Sequence, residues 1–447
     1  MNTASRPRTL ILFVGDIGFF ILALWVSLFV RSFELPSQEI FLAHLAPFSL
    51  LFIAWVIVYL IAGLYESRSI ILARRAISAA LLYAQAFNIG IAALFFFFVP
   101  LFGIAPKTLL FIYAVVSFLF VLLWRVVLFP RLAQKSEAAI VVGDGKEITE
   151  LVDALRAAPL APAHIVSIVP PDAAVIEAVR AAIERYRPGF IIADFNNPRI
   201  AGAFPELFNY LSRGIRFIDA LTLYEEVFGR VPLSVIDERW LARNVSRYAH
   251  VLYDSAKRLM DILVALPAAV ISLICYPFIA IAVLFESGFP VFIMQERIGE
   301  DDKRVRVYKF RSMTGNDTGE YGERGVSKFR VTRVGHFLRV TRLDELPQLW
   351  SIVKGDLSFV GPRPELPPLV ARYEAEIKYY GVRHLVRPGL SGWAQLYHDN
   401  HPHHGEAVEQ TREKLSYDLY YLKHRSLMLD AVITLKTIKK LLTRSGA

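Results

Sequence analysis

Long apolar stretches dominate the first third of the chain, and shorter runs with mixed polarity follow. Four stretches are long enough to cross a bilayer, because a spanning helix needs about 20 apolar residues. They cover residues 10–30, 45–64, 77–98 and 109–129. From residue 138 onward, short apolar runs alternate with helical periodicity, which is typical of a parallel α/β sheet. The pattern predicts a membrane protein of the α plus α/β class.

Basic residues mark the orientation of these stretches. Two of the loops between these stretches contain little basic charge, Arg31 in one and Lys107 in the other. They alternate with segments that contain more basic residues. Those richer segments carry Arg6, Arg8, Arg68, Arg74, Arg75, Arg131 and Lys135. The positive-inside rule therefore places the chain after residue 135 in the cytoplasm. A net charge of +9 suits a protein at an anionic leaflet, and because the charge lies beside apolar spans we expect no nucleic-acid partner.

The composition predicts four parts. Residues 1–135 form a four-span transmembrane region, 136–235 a Rossmann-like domain, 236–254 a linker and 255–447 a mostly helical catalytic domain. The single cysteine, Cys275, excludes an internal disulfide and a multi-cysteine zinc site.

The Rossmann-like part begins with a strand that ends at Gly143-x-Gly145. Ile148 stands where the dinucleotide fingerprint requires a third glycine. Two interpretations stay open: a domain that binds a nucleotide or coenzyme A, and a Rossmann-like module without such a ligand, which the missing glycine favours.

A fifth apolar stretch, about residues 260–285, presents a topological conflict. Both of its flanks are basic, so both belong in the cytoplasm. Pro267 and Pro277 can bend a helix, because proline removes a backbone hydrogen bond and clashes with the preceding turn. We therefore predict a re-entrant helix with its kink at Pro277. A straight fifth span, with everything after residue 286 outside, is the alternative.

An adjacent acidic pair, Asp344 and Glu345, is the strongest candidate for chemistry. Nearby cations are Arg333, Arg339, Arg342, Lys354 and Arg363. A carboxylate can attack phosphorus or bind a metal ion, while cations bind phosphate oxygens. A helix is expected to begin near Asp344, because Pro347 is tolerated only in a first turn. The alternatives are a surface ion-pair network and Asp344 as a helix N-cap.

Further basic residues belong to the same hypothesis of a phosphate site. They lie at predicted turns and strand ends and are Arg297, Lys309, Arg311 and Arg387. A cluster of histidines follows at His398, His401, His403 and His404. A transition-metal site is one interpretation of that cluster, and an ordinary polar loop is the other.

The order of these motifs resembles that of the bacterial sugar transferases, the monotopic polyprenyl-phosphate glycosyl-1-phosphate transferases. The resemblance covers about residues 258–442. It rests on QERIG (295–299), KFRSM (309–313), DELPQ (344–348), GPRP (361–364) and RPG (387–389). The preceding spans and α/β domain are similar to the large branch of that family.

The resemblance implies a reaction and its site residues. Asp344 would attack the β-phosphate of a UDP-sugar, release UMP and form a covalent aspartyl intermediate. Undecaprenyl phosphate would then take the sugar-1-phosphate. Glu345 would bind Mg²⁺, and Arg363 would bind a phosphate. The expected setting is the cytoplasmic face of the bacterial inner membrane, at the first membrane step of exopolysaccharide, capsule or O-antigen synthesis.

Some features stay open at this point. The sugar and the polymer are unknown, and sugar specificity is expected near residues 398–404. The four spans are expected to anchor the chain or to form a homodimer. A non-catalytic adaptor or nucleotide sensor is the rival function. A transporter is disfavoured, because ionisable residues inside the spans are few.

Overall fold

The computed structural model describes residues 6–65, 74–98, 107–133, 137–157, 163–245, 251–315, 329–397 and 408–442. The chain forms two compact units, residues 1–228 and 229–447. The predicted histidine loop, residues 398–404, lies outside the described residues.

The N-terminal part of the first unit is helical, as predicted. Its helices are α1 Arg6–Ser32, α2 Gln38–Ile61, α3 Arg74–Phe98 and α4 Lys107–Leu123, which continues as a π-helix over Trp124–Leu128 and a last turn over Phe129–Ala133. Within the part of the chain that the structure describes, three single helical stretches are long and apolar enough to cross a membrane: Leu10–Ser32, Gln38–Ile61 and Thr108–Leu128. The apolar stretch described within α3 is shorter and covers Ala84–Phe98. The predicted membrane-protein class is confirmed.

Asp16 of α1 and Arg125 of the π-helix that follows α4 form a buried ion pair. Arg125 Nε donates to Asp16 Oδ1 at 2.9 Å, and both side chains are buried. Arg125 Nη1 donates to Leu64 O at 2.8 Å, and Tyr65 OH donates to Asp16 Oδ2 at 2.6 Å. Buried charges need such partners, so these residues have a structural explanation.

The second part of the first unit is a parallel sheet covered by helices. Its elements are β1 Glu137–Val142, α5 Lys146–Ala157, β2 Ala163–Val169, α6 Val175–Tyr186, β3 Phe190–Ala193, α7 Pro198–Leu207, a 3₁₀ turn Phe208–Arg213, β4 Arg216–Asp219 and α8 Ala220–Phe228. The strand order is β2-β1-β3-β4, and all pairs are parallel. The predicted α/β class is confirmed. Ile148, at the place of the third glycine, is buried in the core.

The second unit consists mainly of helices with two small sheets. Its elements are a 3₁₀ turn Leu233–Val235, α9 Glu238–Asn244, α10 Val251–Ser272, α11 Tyr276–Ser287, β5 Phe292–Ile298, a 3₁₀ turn Glu300–Asp302, β6 Arg304–Phe310, α12 Arg333–Val340, a 3₁₀ turn Leu343–Glu345, α13 Gln348–Lys354, β7 Ser358–Val360, α14 Pro367–Glu376, a 3₁₀ turn Tyr380–Leu385, β8 Gly389–Ser391, α15 Trp393–Tyr397, α16 Val408–His424 and α17 Leu427–Leu442. Strands β5 and β6 form an antiparallel hairpin, and β7 and β8 pair in parallel.

The predicted linker, residues 236–254, contains helix α9. Trp240 of this helix packs against a core of the second unit that includes Val231 and Leu419. The predicted domain boundaries stay predictions, although this part of the segment has tertiary contacts.

Helices α10 and α11 form a bent apolar pair. They meet at an angle of 57° across residues 273–275, and the pair is either a broken span or a re-entrant loop. Pro277 lies in the first turn of α11, where its missing N–H removes no helical bond. The amides of residues 273–276 donate to carbonyls three residues back at 2.9–3.3 Å. The bend therefore keeps its backbone groups paired, as a membrane environment requires.

One face of the bent pair packs on the rest of the unit. Ala265 and Ala269 contribute to a core with β6 and α13, and Ile279 and Val283 to a core with Phe310. The other face exposes large apolar side chains: Leu263, Val270, Ile271, Ile274, Phe278, Ile281 and Phe285. An apolar surface of this extent is what a bilayer would cover.

The re-entrant arrangement predicts that both ends of the bent pair face the same side of the membrane. We expect cysteines at exposed positions 242 and 304 (Ala242→Cys and Arg304→Cys, each with Cys275→Ser) to react with an impermeant maleimide from the same face of sealed vesicles. Vesicles of opposite orientation provide the control. Labelling of the two positions from opposite faces would establish a straight span instead.

Candidate active site

The acidic pair lies on a tight turn between two helices. Helix α12 ends at Val340, and Arg342 then adopts a left-handed conformation with φ of 59°. The 3₁₀ turn Leu343–Glu345 follows directly. The α-helix that follows begins at Gln348, three residues beyond the acidic pair.

The structure corrects the expected helix start near Asp344. Pro347 is the N-cap residue of α13, so the acidic pair precedes the α-helix. Asp344 is buried, and among the described residues its Oδ1 has no hydrogen-bond partner. This side chain therefore does not serve as the N-cap of α13.

Three cations from separate segments converge on Glu345. Its Oε1 lies 3.3 Å from Lys309 Nζ, 3.3 Å from Arg363 Nη2 and 3.9 Å from Arg342 Nη1. The side chains of Glu345 and Lys309 are only 13% and 16% exposed. A surface ion-pair network would be mostly solvated, so this cluster is of a different kind. We call these four residues together with Asp344 the acid–cation cluster.

The two carboxyl groups have opposite electrostatic environments. Burial raises the pKa of the Asp344 carboxyl, and the charge of Glu345 raises it further. Burial acts in the same direction on Glu345, but Lys309 and Arg363 outweigh it and lower the pKa of that carboxyl. Glu345 is therefore the anion that the cations stabilise. One carboxyl oxygen of Asp344 has no partner among the described residues, which leaves it available to a ligand.

The turn that carries Arg363 is fixed by buried side chains. Arg383 Nη2 donates to the carbonyl oxygen of Arg363 at 2.9 Å, and Arg297 Nη1 donates to that of Pro364 at 3.2 Å. Arg383 is itself held by Asp418, with Nη2 and Oδ2 2.8 Å apart and both side chains at most 2% exposed. The position of the Arg363 guanidinium thus depends on a buried ion pair behind the turn.

Two glycines let this turn approach β8. The Gly361 amide donates to Ser391 O at 2.9 Å, and the Gly389 amide donates to Pro362 O at 3.0 Å. A Cβ atom on Gly389 would lie 2.1 Å from the backbone nitrogen of Gly361. Because backbone atoms cannot move aside as a flexible side chain can, only glycine fits here.

We expect Gly389→Ala to lower the free energy of unfolding by about 1–3 kcal/mol, as overpacking does, and to displace the turn that carries Arg363. Thermal unfolding of the purified protein in detergent would show a lower midpoint. Gly202→Ala is the control, because a Cβ there meets nothing within 4 Å. An unchanged midpoint for Gly389→Ala would show that the two segments can separate without cost.

Two other predicted phosphate ligands lie close to the acid–cation cluster. Arg339, in the last turn of α12, lowers the pKa of Asp344 through its charge, although burial and Glu345 dominate. Arg297 lies within strand β5, where the sequence predicted a turn, and its Nη2 donates to Gln295 Oε1 at 2.8 Å. Its contact with Pro364 makes it a support of the Arg363 turn.

The remaining predicted ligands have other surroundings. The guanidinium of Arg311 donates to four backbone carbonyls, those of Ser287, Phe289, Met313 and Thr314, at 2.8–3.2 Å. Arg333 begins α12, and its amide donates to Glu286 at 2.7 Å. Arg387 Nε donates to Glu300 at 3.2 Å, and Arg387 lines a separate cavity with Lys257 and Arg258. The structure does not bring these three side chains into contact with the acidic pair.

Comparison with known proteins identifies the family. The profile described as bacterial sugar transferase matches residues 252–444. The chain is 35% identical over 193 residues to the exopolysaccharide production protein PSS of Rhizobium leguminosarum bv. phaseoli, covering 42% of this chain and 96% of that protein. The chain belongs to the bacterial sugar transferase family. The predicted resemblance is confirmed.

Larger members of the family are similar over part of their length. The chain is 39% identical over 266 residues to a UDP-N-acetylgalactosamine-undecaprenyl-phosphate N-acetylgalactosaminephosphotransferase of Aeromonas hydrophila, covering 58% of this chain and 60% of that protein. It is 37% identical over 163 residues to a UDP-glucose:undecaprenyl-phosphate glucose-1-phosphate transferase of Escherichia coli K12, covering 36% and 35%. The chain thus covers less than two thirds of the length of each of these two relatives.

The acidic pair of this family member offers oxygen atoms of the kind that Mg²⁺ binds. Mg²⁺ takes one or two protein carboxylates and completes its shell with water and substrate phosphates. The buried Oδ1 of Asp344, which has no partner among the described residues, suits such an ion together with Glu345. A diphosphate that binds with the ion would face the cations. The residues present therefore suit the expected cofactor.

Sequence reasoning missed the support behind the turn. Arg383 and Asp418 are 35 residues apart and lie in no motif that the sequence singled out. Arg342 was recognised as a neighbouring cation but not as a member of the phosphate site, and its left-handed backbone has no signature in the sequence. Lys354 pairs with Asp356 at 2.8 Å rather than with the acidic pair.

Proposed function

We propose that the chain transfers a sugar-1-phosphate from a UDP-sugar to undecaprenyl phosphate. The observation that carries the proposal is the acid–cation cluster, in which a buried carboxylate with an unpaired oxygen adjoins a second carboxylate bound by cations. The names of its relatives describe the same reaction class with N-acetylgalactosamine and glucose. The exposed apolar face of the bent helices supports a lipid substrate.

The first half-reaction is assigned to Asp344. An oxygen of its carboxylate forms a bond to the β-phosphorus of the UDP-sugar, and the bond from that phosphorus to the α–β bridging oxygen breaks. UMP leaves with the bridging oxygen and its electron pair. Lys309 and Arg363 would bind the phosphate oxygens as charge moves onto the leaving group, because fixed cations stabilise such charge without reorganisation.

The second half-reaction regenerates the carboxylate. A phosphate oxygen of undecaprenyl phosphate attacks the sugar-bearing phosphorus, and the bond from that phosphorus to Asp344 breaks. The product is a polyprenyl-diphosphate sugar. Covalent catalysis of this kind divides one displacement into two steps and lets the soluble donor leave before the lipid acceptor reacts.

Glu345 is the residue that we propose to hold Mg²⁺. When bound, the ion would neutralise charge on the diphosphate. The cations around Glu345 keep its carboxyl ionised, which is the form that ligates a metal.

The proposed location is the cytoplasmic face of the bacterial inner membrane, where UDP-sugars and undecaprenyl phosphate meet. The basic loops between the apolar helices support this orientation. The reaction would start the assembly of an exopolysaccharide, a capsule or an O-antigen. The role of the N-terminal helices as an anchor or homodimer interface stays a prediction.

The proposal is tested by UMP release from the purified full chain in detergent or nanodiscs. A panel of UDP-sugars is incubated with Mg²⁺, with and without undecaprenyl phosphate. We expect one UDP-sugar to give multiple turnovers that require the lipid. Failure of every UDP-sugar to release UMP, while the protein retains its thermal unfolding transition, would favour the non-catalytic adaptor.

A further inference from the structure

A group of metal-binding side chains lies outside the residues that the proposed reaction uses. Asp302, Glu374 and His384 each offer one ligand atom, and these atoms all lie within 4.8 Å of one another. The three residues come from three separate elements: the turn between β5 and β6, helix α14 and the 3₁₀ turn Tyr380–Leu385. Their convergence is therefore a property of the fold rather than of a local sequence pattern.

The backbone positions the two carboxylates toward the 3₁₀ turn. Asp302 has a φ of 58°, and this left-handed conformation is one that aspartate tolerates better than most residues. Glu374 points at the turn closely enough that a Cβ on Gly381 would lie 3.1 Å from its Oε1. Both carboxylates are exposed, so an ion in water can reach them.

His384 supplies the buried side of the group. Its side chain is 7% exposed, and its Nδ1 lies 2.6 Å from Asp302 Oδ1. Nδ1–H donates to Asp302, because an ionised carboxylate only accepts hydrogen bonds. Among the described residues, Nε2 has no hydrogen-bond partner, so it can take the ring proton when a metal replaces that proton on Nδ1. The Nδ1 lone pair then binds the metal beside Asp302.

The charges of the group call for a cation, because two exposed carboxylates and one imidazole bring their ligand atoms within 4.8 Å of one another. The nearby guanidinium of Arg383 is occupied by Asp418, Tyr380 and the Arg363 carbonyl.

We propose that Asp302, Glu374 and His384 bind a divalent transition-metal ion such as Zn²⁺. Imidazole nitrogen and carboxylate oxygen are both ligand atoms that this ion takes in proteins, and water would complete the shell. Because the set includes nitrogen, it favours Zn²⁺ over Mg²⁺, which distinguishes it from the acidic pair.

The ion would join two supports of the candidate active site. Asp302 ends the turn between the strands that carry Arg297 and Lys309, and His384 follows Arg383, which holds the Arg363 turn. A metal at this place contacts no substrate. It would instead stiffen the hairpin against the 3₁₀ turn, so its role is structural and independent of the proposed transfer reaction.

Zn²⁺ titration of the purified full chain tests the proposal. Two other places could take up Zn²⁺ and must be removed first. Replacing His398, His401, His403 and His404 with glutamine excludes the histidine loop, and excess Mg²⁺ occupies the acidic pair. In this background, competition with a chromophoric chelator measures the affinity and the number of Zn²⁺ ions bound.

We expect one Zn²⁺ per chain in the background protein, with a higher thermal unfolding midpoint when it is bound. Asp302→Asn with Glu374→Gln should weaken binding about 100-fold or more and remove the thermal shift. Both positions are exposed, so these substitutions leave the core intact. Asp301→Asn with Glu376→Gln, neighbouring carboxylates on the same elements, is the matched control and should bind as the background does.

Two results would overturn the proposal. One is the absence of Zn²⁺ binding in the background protein. The other is equal Zn²⁺ affinity in the Asp302→Asn/Glu374→Gln variant and in its control. Because the readout is metal binding and thermal stability, neither result depends on whether the chain releases UMP.

Discussion

Asp344→Asn should reduce UMP release at least about 10³-fold, because the amide cannot replace the attacking carboxylate. The substitution preserves the volume of a buried side chain whose Oδ1 has no partner among the described residues. We therefore expect the thermal unfolding midpoint to stay close to that of the unsubstituted protein. The measurement is initial UMP release with the best UDP-sugar, Mg²⁺ and undecaprenyl phosphate.

The same variant separates a nucleophile from a residue that only positions another group. The UDP-sugar is labelled in its sugar for this comparison. Without the lipid acceptor, the unsubstituted protein should release up to one UMP per chain and retain the labelled sugar-phosphate. Asp344→Asn should retain none. Asp356→Asn is the matched control, since Asp356 lies in the same unit and pairs only with Lys354 in the described contacts. Full turnover by Asp344→Asn would rule out the covalent mechanism.

Local patterns were enough to predict the apolar helices and the parallel sheet of the first unit. Runs of about 20 apolar residues predicted the membrane helices, and short runs such as AAIVV predicted the strands of the parallel sheet. Buried positions recur along the whole length of a helix or strand, so burial produces a pattern of apolar residues in the sequence. The bend at residues 273–275 was predicted from charge on both flanks together with Pro277.

The members of the candidate site were harder to predict than its location. A sequence shows that Arg311 and Arg363 are cations, but it does not show what each contacts. Arg363 meets Glu345, whereas the guanidinium of Arg311 binds backbone carbonyls near the end of α11. Because both side chains are guanidinium cations with the same N–H donors, only the tertiary structure distinguishes their roles.

Buried support for the site left no sequence signal. Arg383 and Asp418 are 35 residues apart in the sequence, and tertiary packing brings them together. Such a pair produces no periodic pattern of the kind that marks a helix or a strand. Prediction of a site from sequence relies on clusters of charged residues, so it does not select a single arginine in a segment of mixed polarity. This pair is therefore the finding that most depends on the structure.

Arg383→Met should destabilise the second unit strongly. It leaves Asp418, which is 2% exposed, as a buried charge that has lost its guanidinium partner. Removing one partner of a buried pair costs about 3–5 kcal/mol. We expect a clearly lower midpoint of thermal unfolding. Arg372→Met, which removes an exposed pair with Glu376, should change the stability by less than about 1 kcal/mol.

The double variant Arg383→Met/Asp418→Leu distinguishes stability from positioning. Replacing both charges with apolar side chains removes the unpaired ion, so most of the lost stability should return. The Arg363 carbonyl still lacks the donor that Arg383 provided at 2.9 Å. Because small displacements of a binding group cost about 10²-fold in rate, UMP release should stay about 10- to 100-fold low, mainly through a higher KM for the UDP-sugar. A double variant with restored stability and full activity would show that the Arg363 turn keeps its position without Arg383.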